Sequence, residues 1–363
     1  MKQESLISKY DLAITLILVM VNIRIFSLPR ELVRLVGNDG WLIIIINGLI
    51  SFLCIYLIYT VVKSNGYISL NDLLERNLGK VFGGIIELIF VVYAVFFTSI
   101  AMRNFIEVIK NYLLLRTPTE FILILMIFVG TYLVRSGFDV LIRYNQFVFW
   151  ILYISMFLVL IFTLKGADFS NLLPIFHNKF TDYINAIPTT AYGMEGFVIA
   201  YLLIPNLRDK TGIGKVISRS TIYVTLIYIV VTVLCVAVFS TEQTKEILWP
   251  LITMIKTINV PGSFVERWEG VVMALWVLFY FSTFANLYYF AADVLKKTIK
   301  VEDTKISSLI IIPFIYFIAL FPQNIAELYD IQTKLMPILY FVLFLVIPLL
   351  LLVVTKIRKG NVI

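Results

Sequence analysis

Two short stretches decide the fold of this chain: Val21–Asn22–Ile23–Arg24–Ile25–Phe26–Ser27–Leu28–Pro29 and Pro188–Thr189–Thr190–Ala191–Tyr192–Gly193–Met194–Glu195–Gly196. Each interrupts an apolar run that would otherwise continue as one helix. Pro29 cannot donate a backbone N–H, and its ring clashes with the preceding turn. Polar Asn22, Arg24 and Ser27 gather just before it, about 17–24 Å along a helix that starts at Asp11. In the second stretch Gly193 and Gly196 flank a Met-Glu pair, and an apolar run then continues to Pro205. A charge at bilayer depth costs about 2.5–3.5 kcal/mol or more unless it is paired or hydrated. Arg24 and Glu195 are therefore the lead residues.

Outward from these breaks, the composition is that of a membrane protein. Of 363 residues, 60% are apolar and 15% charged, and the mean hydropathy is +0.94. A soluble fold must cover itself with polar groups and cannot hide this much apolar surface. Measured against the roughly 20 residues a helix needs to cross a bilayer, the apolar blocks give ten candidate spans. They start near Asp11, Trp41, Val81, Glu120, Phe138, Asp182, Ile213, Val265, Lys305 and Ile331, with Arg135–Ser136–Gly137 dividing two short neighbours. The first block lacks a small-residue cleavage site and reads as a retained span. Counting Lys and Arg in alternate loops gives 18 on one side and 10 on the other, which puts both termini in the cytoplasm.

The net charge of +7 is spread over the ends of the apolar blocks, so it marks topology and not nucleic-acid binding. Cys54 and Cys235 lie within apolar blocks, and the sole histidine, His177, lies in a polar loop. That pattern argues against disulfides and zinc or haem sites, and no cofactor is expected. Gly212–Ile213–Gly214–Lys215 lacks the spacing and the Ser/Thr of a phosphate loop. No nucleophile–His–acid set fits within the spans. An enzyme is excluded on these grounds.

The spans divide into five plus five. Asp11 to Asp182 is an offset of 171 residues and Trp41 to Ile213 one of 172. Five is odd, so the second set must insert upside down, as in transporters whose site lies at a repeat interface built from broken helices. The expectation is one all-α polytopic membrane domain over residues 1–363, with repeats of about 11–165 and 182–356 and with helices one and six broken. Two amphipathic stretches, Tyr67–Lys80 inside and Gln243–Ile258 outside, are too short to cross and read as helices that lie at the interface, cap the bundle or, the favoured use, belong to an ordinary structured loop.

This layout predicts a small-molecule pocket between spans one, three, six and eight. Its candidate ligand-binding residues are Asn22, Ile23 and Arg24 on span one, and Tyr93, Phe97 and Thr98 on span three. Span six supplies Tyr192, Gly193 and Glu195, and span eight Ser282, Thr283 and Asn286. Arg24 is suited to grip a carboxylate and Glu195 to face an ammonium group. The two charges neutralising each other across the bundle is an equally open reading. Glu87 reads as a gate or, the favoured reading, a snorkelling surface carboxylate, and Arg103–Glu107 as a simple surface pair four residues apart.

Several further elements carry a family resemblance. They are Leu28–Pro29–Arg30–Glu31–Leu32, Asp39–Gly40–Trp41, Leu115–Arg116–Thr117–Pro118, Gly193–Met194–Glu195, Trp249–Pro250, Phe264–Val265–Glu266–Arg267–Trp268–Glu269, and Phe290–Ala291–Ala292 ahead of Lys296–Lys297. The chain resembles the endospore germination permeases, the B subunits of nutrient germinant receptors. They are a branch of the amino acid–polyamine–cation transporter superfamily, with a LeuT-like fold. The resemblance implies a germinant sensor in the spore inner membrane. Such a sensor binds a small nutrient, often an amino acid, and works with A and C subunits. Many relatives carry small residues, glycine among them, where this chain has Asn22–Ile23–Arg24. That departure implies a ligand that is smaller, differently charged, or other than alanine. The bare architecture, with Glu195 as a proton carrier, leaves a proton- or sodium-coupled amino acid transporter as the alternative.

Overall fold

Leu, Ile, Val and Phe dominate the long blocks, and in lipid such blocks must satisfy their own backbone groups. The result is helix. The computed structural model describes residues 7–257 and 268–360. Among them the only β-type pairing is an isolated parallel bridge between Ile7 and Leu207. The helices are α1 (Lys9–Met20), α2 (Leu28–Val36), α3 (Gly40–Ser64), α4 (Leu70–Tyr112), α5 (Thr119–Arg135), α6 (Phe138–Thr163) and α7 (Phe180–Ala191). They continue with α8 (Ala200–Leu203), α9 (Ile213–Glu246), α10 (Pro250–Lys256), α11 (Trp268–Thr298), α12 (Thr304–Leu320), α13 (Ile325–Phe341) and α14 (Ile347–Gly360).

Six stretches are long and apolar enough to cross a membrane: Leu28–Ser64, Leu70–Tyr112, Phe138–Gly166, Ile213–Glu246, Gly270–Thr298 and Ile325–Arg358. The chain is an integral membrane protein. Large apolar side chains such as Phe128, Tyr132 and Phe317 remain exposed on its outer face, as a lipid-facing surface requires. The expected eighth start, Val265, and the motif residues Phe264–Arg267 lie outside the described residues, as does Ile258 at the end of the outer amphipathic stretch.

Local chemistry sets most helix ends. Ser8 and Asp11 form a reciprocal capping box at the start of α1. Asn324 accepts from Glu327 N at 3.0 Å to open α13. Gly137, at φ 100°, separates α5 from α6 at the junction the sequence marks. The amphipathic Leu70–Leu78 segment packs Leu70, Leu73 and Leu74 inward and ends at Gly79, whose φ of 81° breaks α4 before its long apolar run.

Two polar readings change on folding. Glu87 is buried and accepts from Thr298 Oγ1 at 2.7 Å, so it ties α4 to α11 and does not snorkel. Arg103 pairs with Glu107 at 2.9 Å but is buried and also donates to Ala319 O at 3.3 Å, so the pair joins α4 to α12 inside the bundle. Hydropathy alone places both near a helix end. It does not say which face a neighbouring helix covers.

Around the centre, α4 packs against α11, α3 against α9, and α1 lies among α6, α9 and α11. Both chain interruptions fall inside this assembly.

Candidate functional site

The first interruption runs from Val21 to Ser27. α1 ends at Met20, Asn22 adopts extended backbone and its Oδ1 accepts from Arg24 N at 2.9 Å, and a 3₁₀ turn covers Ile23–Phe26. Asn22 thus caps its own turn. Pro29 sits in the first turn of α2, where its missing N–H is no loss. It starts the second half-helix; it does not end the first.

A helix that stops inside a bundle leaves its last carbonyls without partners. Here the surroundings supply them. Leu18 O accepts from Thr283 Oγ1 at 3.0 Å, and Met20 O from Tyr228 Oη at 3.2 Å. Val21 N returns to Ile17 O at 2.9 Å.

The second interruption follows α7, with a 3₁₀ turn at Tyr192–Met194, extended Glu195, and Gly196 at φ 109°. Two constraints meet at Gly196. An L side chain rarely adopts this φ, and a Cβ there would lie 2.7 Å from Val19 O. The glycine lets the two breaks touch backbone to backbone. Asn22 Nδ2 then donates to Gly193 O at 3.2 Å and to Glu195 O at 3.5 Å, and Tyr228 Oη also donates to Gly193 O at 3.0 Å.

Between the breaks lies a small cavity walled by Asn22, Ile23, Arg24, Phe97, Tyr192 and Glu195, together with Ala101, Gln332 and Met336. It offers about 10 Å³ to the centre of a water-sized sphere, room for about one water. Six of the expected residues therefore share one wall. Tyr93 stands behind it and donates from Oη to Glu195 Oε2 at 3.2 Å. Gly193 contributes its carbonyl to Asn22, and Thr98 is buried off the cavity wall.

Span eight contributes differently from the expectation. Thr283 holds the end of α1, while Ser282 and Asn286 face Asn145 on α6. Ser282 Oγ donates to Asn145 Oδ1 at 2.8 Å, and the two asparagines exchange hydrogen bonds of 3.0 Å. Asn145 Nδ2 also reaches Thr15 Oγ1 at 3.1 Å. Ser282 and Asn286 are one helical turn apart, so they share a face that Thr283 does not. That i, i+4 relation is visible in the sequence.

The charges resolve the open pairing. Arg24 and Glu195 are 3% and 1% exposed. Arg24 Nη2 pairs with Glu31 Oε2, not with Glu195, and Glu31 Oε1 accepts from Ser27 Oγ at 3.1 Å. The guanidinium carbon lies 4.0 Å over the Tyr192 ring, a cation–π contact. Arg24 Nε and Nη1 have no hydrogen-bond partner among the described residues, and neither do Tyr192 Oη and Gln332 Oε1 on the same cavity wall. Buried polar groups are almost always paired. A cluster left unpaired in one place is suited to a polar ligand.

Glu31, Ala101, Gln332 and Met336 were not among the sequence candidates. Ala101 continues the Tyr93–Phe97 face at i+4, and Gln332 and Met336 are likewise four apart on α13. Helical spacing pointed to Ala101. Nothing local pointed to α13.

The family profile described as "Spore germination protein" matches residues 6–328. Spore germination protein A2 of Bacillus subtilis (strain 168) is 28% identical over 306 residues, covering 84% of this chain and 84% of that protein. Spore germination protein GerQB of Bacillus cereus is 25% identical over 358 residues, 97% of this chain and 98% of its own. Among solved structures, the substrate-bound outward-open state of a Na⁺-coupled sialic acid symporter superposes with a TM-score of 0.67 at 9% identity. The match covers 94% of this chain and 79% of that one. At that identity the likeness is one of fold. Family profile and fold point the same way, to a helical membrane protein. With two broken helices meeting at a buried Arg and Glu, and a profile match over nearly its whole length, this chain belongs to the spore germination protein family.

Proposed function

We propose that this protein is the ligand-sensing membrane subunit of a spore germinant receptor. It binds a small nutrient, most readily an amino acid, between the two broken helices and passes the signal to A and C subunits. The observation that carries the reading is Arg24. A buried guanidinium with Nε and Nη1 free of hydrogen-bond partners among the described residues, beside the buried carboxylate of Glu195, offers opposite charges to the two ends of a zwitterion. The closed cavity holds about one water, so ligand entry requires its walls to part. Gln332 and Met336 on α13 and Phe97 on α4 form the apolar and amide side of that wall.

The same reading extends to topology. The six long apolar stretches are joined by the broken pairs α1–α2 and α7–α8 and by the 17-residue helices α5 and α12. Counted together they form ten spans in a 5+5 inverted repeat, repeat one over about 11–165 and repeat two over about 182–356. Both termini then lie in the cytoplasm, and the protein sits in the spore inner membrane. Partnership with A and C subunits is supported by similarity to proteins such as GerQB along nearly the full chain.

The alternative is a proton- or sodium-coupled amino acid transporter, favoured by Glu195 buried in the cavity wall and by the symporter fold. Thermal-shift screening of the purified protein across amino acids, sugars and nucleosides tests the binding claim, because a ligand stabilises by RT ln(1 + [L]/Kd). Uptake of each hit into proteoliposomes under a proton or sodium gradient separates the readings. Binding without uptake supports the sensor. Gradient-driven uptake moves the transporter to first place, and stabilisation by no amino acid overturns the substrate class.

A further inference from the structure

Away from the breaks, α5 and α12 leave a groove between them of about 790 Å³, open to the outside of the bundle. Its long wall is apolar, with Ile124, Phe128, Leu309 and Phe317 among the lining. The hydroxyl of Thr131 is engaged by Tyr288 Oη at 3.3 Å. The polar groups gather at one end, where Arg135 closes α5, Ser136 follows, and Lys305 opens α12. Both cations are exposed. Arg135 forms no ion pair among the described residues, and Lys305 Nζ stands 3.9 Å from an exposed Asp303. Both belong to the side of the protein richer in Lys and Arg by sequence count.

We infer that this groove is a binding site for one anionic phospholipid, its phosphate held by Arg135 and Lys305 and an acyl chain laid along the apolar wall. The argument is one of charge complementarity. A zwitterionic lipid would fill the apolar wall equally well but would leave two cations facing no net charge. A basic residue near an anionic membrane surface gains about 1 kcal/mol, a ratio of about five-fold in binding for each cation. A helix from a protein partner would use the apolar wall but has no need of a cationic end.

The experiment is native mass spectrometry of the purified full chain supplied with equal amounts of phosphatidylglycerol and phosphatidylcholine. The wild type is expected to retain one phosphatidylglycerol in at least about ten-fold excess over phosphatidylcholine. Arg135→Gln with Lys305→Gln should bring the two lipids near parity. Lys215→Gln with Arg219→Gln on α9, which packs against α1, α2 and α3, should keep the wild-type preference. No preference in the wild type, a preference that survives the first double variant, or an equal loss in the second would overturn the site. Full displacement of the lipid by inorganic phosphate would likewise overturn it in favour of a simple anion site. Thermal melting of each variant in phosphatidylcholine confirms that both fold. An uncharged groove variant, Leu309→Trp, should reduce retention of both lipids together.

Discussion

Two of the polar clusters within this bundle are built on opposite terms. At Asn145, Ser282, Asn286 and Thr15 the side chains are spent on one another, every amide atom of Asn145 taking a partner at 2.8–3.1 Å. At the helix breaks, Arg24 Nε and Nη1, Tyr192 Oη and Gln332 Oε1 are buried without partners among the described residues. The contrast teaches how to tell structure from function in a membrane interior. Polar residues are costly in both places, but only one cluster has already used its hydrogen bonds. By residue type alone, a Ser-Thr-Asn set on a span next to a broken helix is as good a pocket as an Arg-Tyr-Glu set. The hydrogen-bond accounting separates them.

The largest effect should come from breaking the satisfied cluster. Asn145→Ala strips a hydrogen bond from Ser282 Oγ and leaves Asn286 Oδ1 without its partner. A buried polar group left unpaired costs about 1–3 kcal/mol, so the pair should cost about 2–6 kcal/mol. A clear drop in melting temperature, with ligand affinity per folded molecule unchanged, is expected. If affinity fell while stability held, the cluster would belong to the pocket after all.

Arg24→Gln tests the other side. Losing a charged hydrogen-bonding partner for a ligand carboxylate is worth about 1.5–3 kcal/mol, or about 10–150-fold in affinity. The unliganded protein should lose less stability than Asn145→Ala does, because Glu31 is 18% exposed at its side chain and keeps Ser27 as a donor. Arg24→Glu combined with Glu31→Arg sharpens this. Full recovery of ligand response in the swapped pair would make Arg24 a structural partner of Glu31 and nothing more.

Glu195→Gln should give a smaller loss. Glutamine is isosteric and still accepts from Tyr93 Oη, so assembly with partner subunits and the level in the membrane should persist while germinant response falls by about ten-fold. Disappearance of the protein from the membrane would move Glu195 from the binding side of the comparison to the structural side.

Much of this was legible in the chain itself because the signals were local. Long apolar runs bounded by charge and Pro/Gly punctuation located the starts of α1, α3, α5, α6, α7, α9 and α12, whereas Ile331 falls inside α13 and Val265 lies outside the described residues. The Asn22–Pro29 and Tyr192–Gly196 stretches located both breaks. The Arg135–Ser136–Gly137 division falls where Gly137 takes positive φ. What was not legible depended on direction. Arg24 reaches Glu31 because the chain turns between α1 and α2, so a residue seven positions away becomes the nearest carboxylate in place of Glu195. Glu87 and Arg103 lie on helix faces that α11 and α12 happen to cover. Gln332 and Met336 come from α13, far along the chain. Only tertiary packing brings them to the cavity.

The smallest effect is expected where a polar pair faces water. Lys9 Nζ lies 2.5 Å from Asp209 Oδ2, beside the Ile7–Leu207 bridge that ties the segment before α1 to the end of the second broken helix. The Lys9 ammonium and two hydrogen bonds from Thr211 hold the Asp209 carboxyl down at about 2, against its ordinary 3.8. A depressed carboxylate stabilises the fold in full above its unfolded pKa, and that contribution is lost as pH falls from about 4 through 2. The wild type should therefore melt at a temperature that falls more steeply across this window than that of Asp209→Asn, and the two should run parallel above about pH 5. The pair is solvent-exposed, and such pairs contribute little and are screened by salt. Raising the ionic strength should thus shrink the difference, whereas the Arg24–Glu31 pair, 3% and 18% exposed at its side chains, should respond much less. A salt-insensitive Asp209 effect would show that the hydrogen bonds from Thr211, and not the charge pair with Lys9, are what hold the carboxylate.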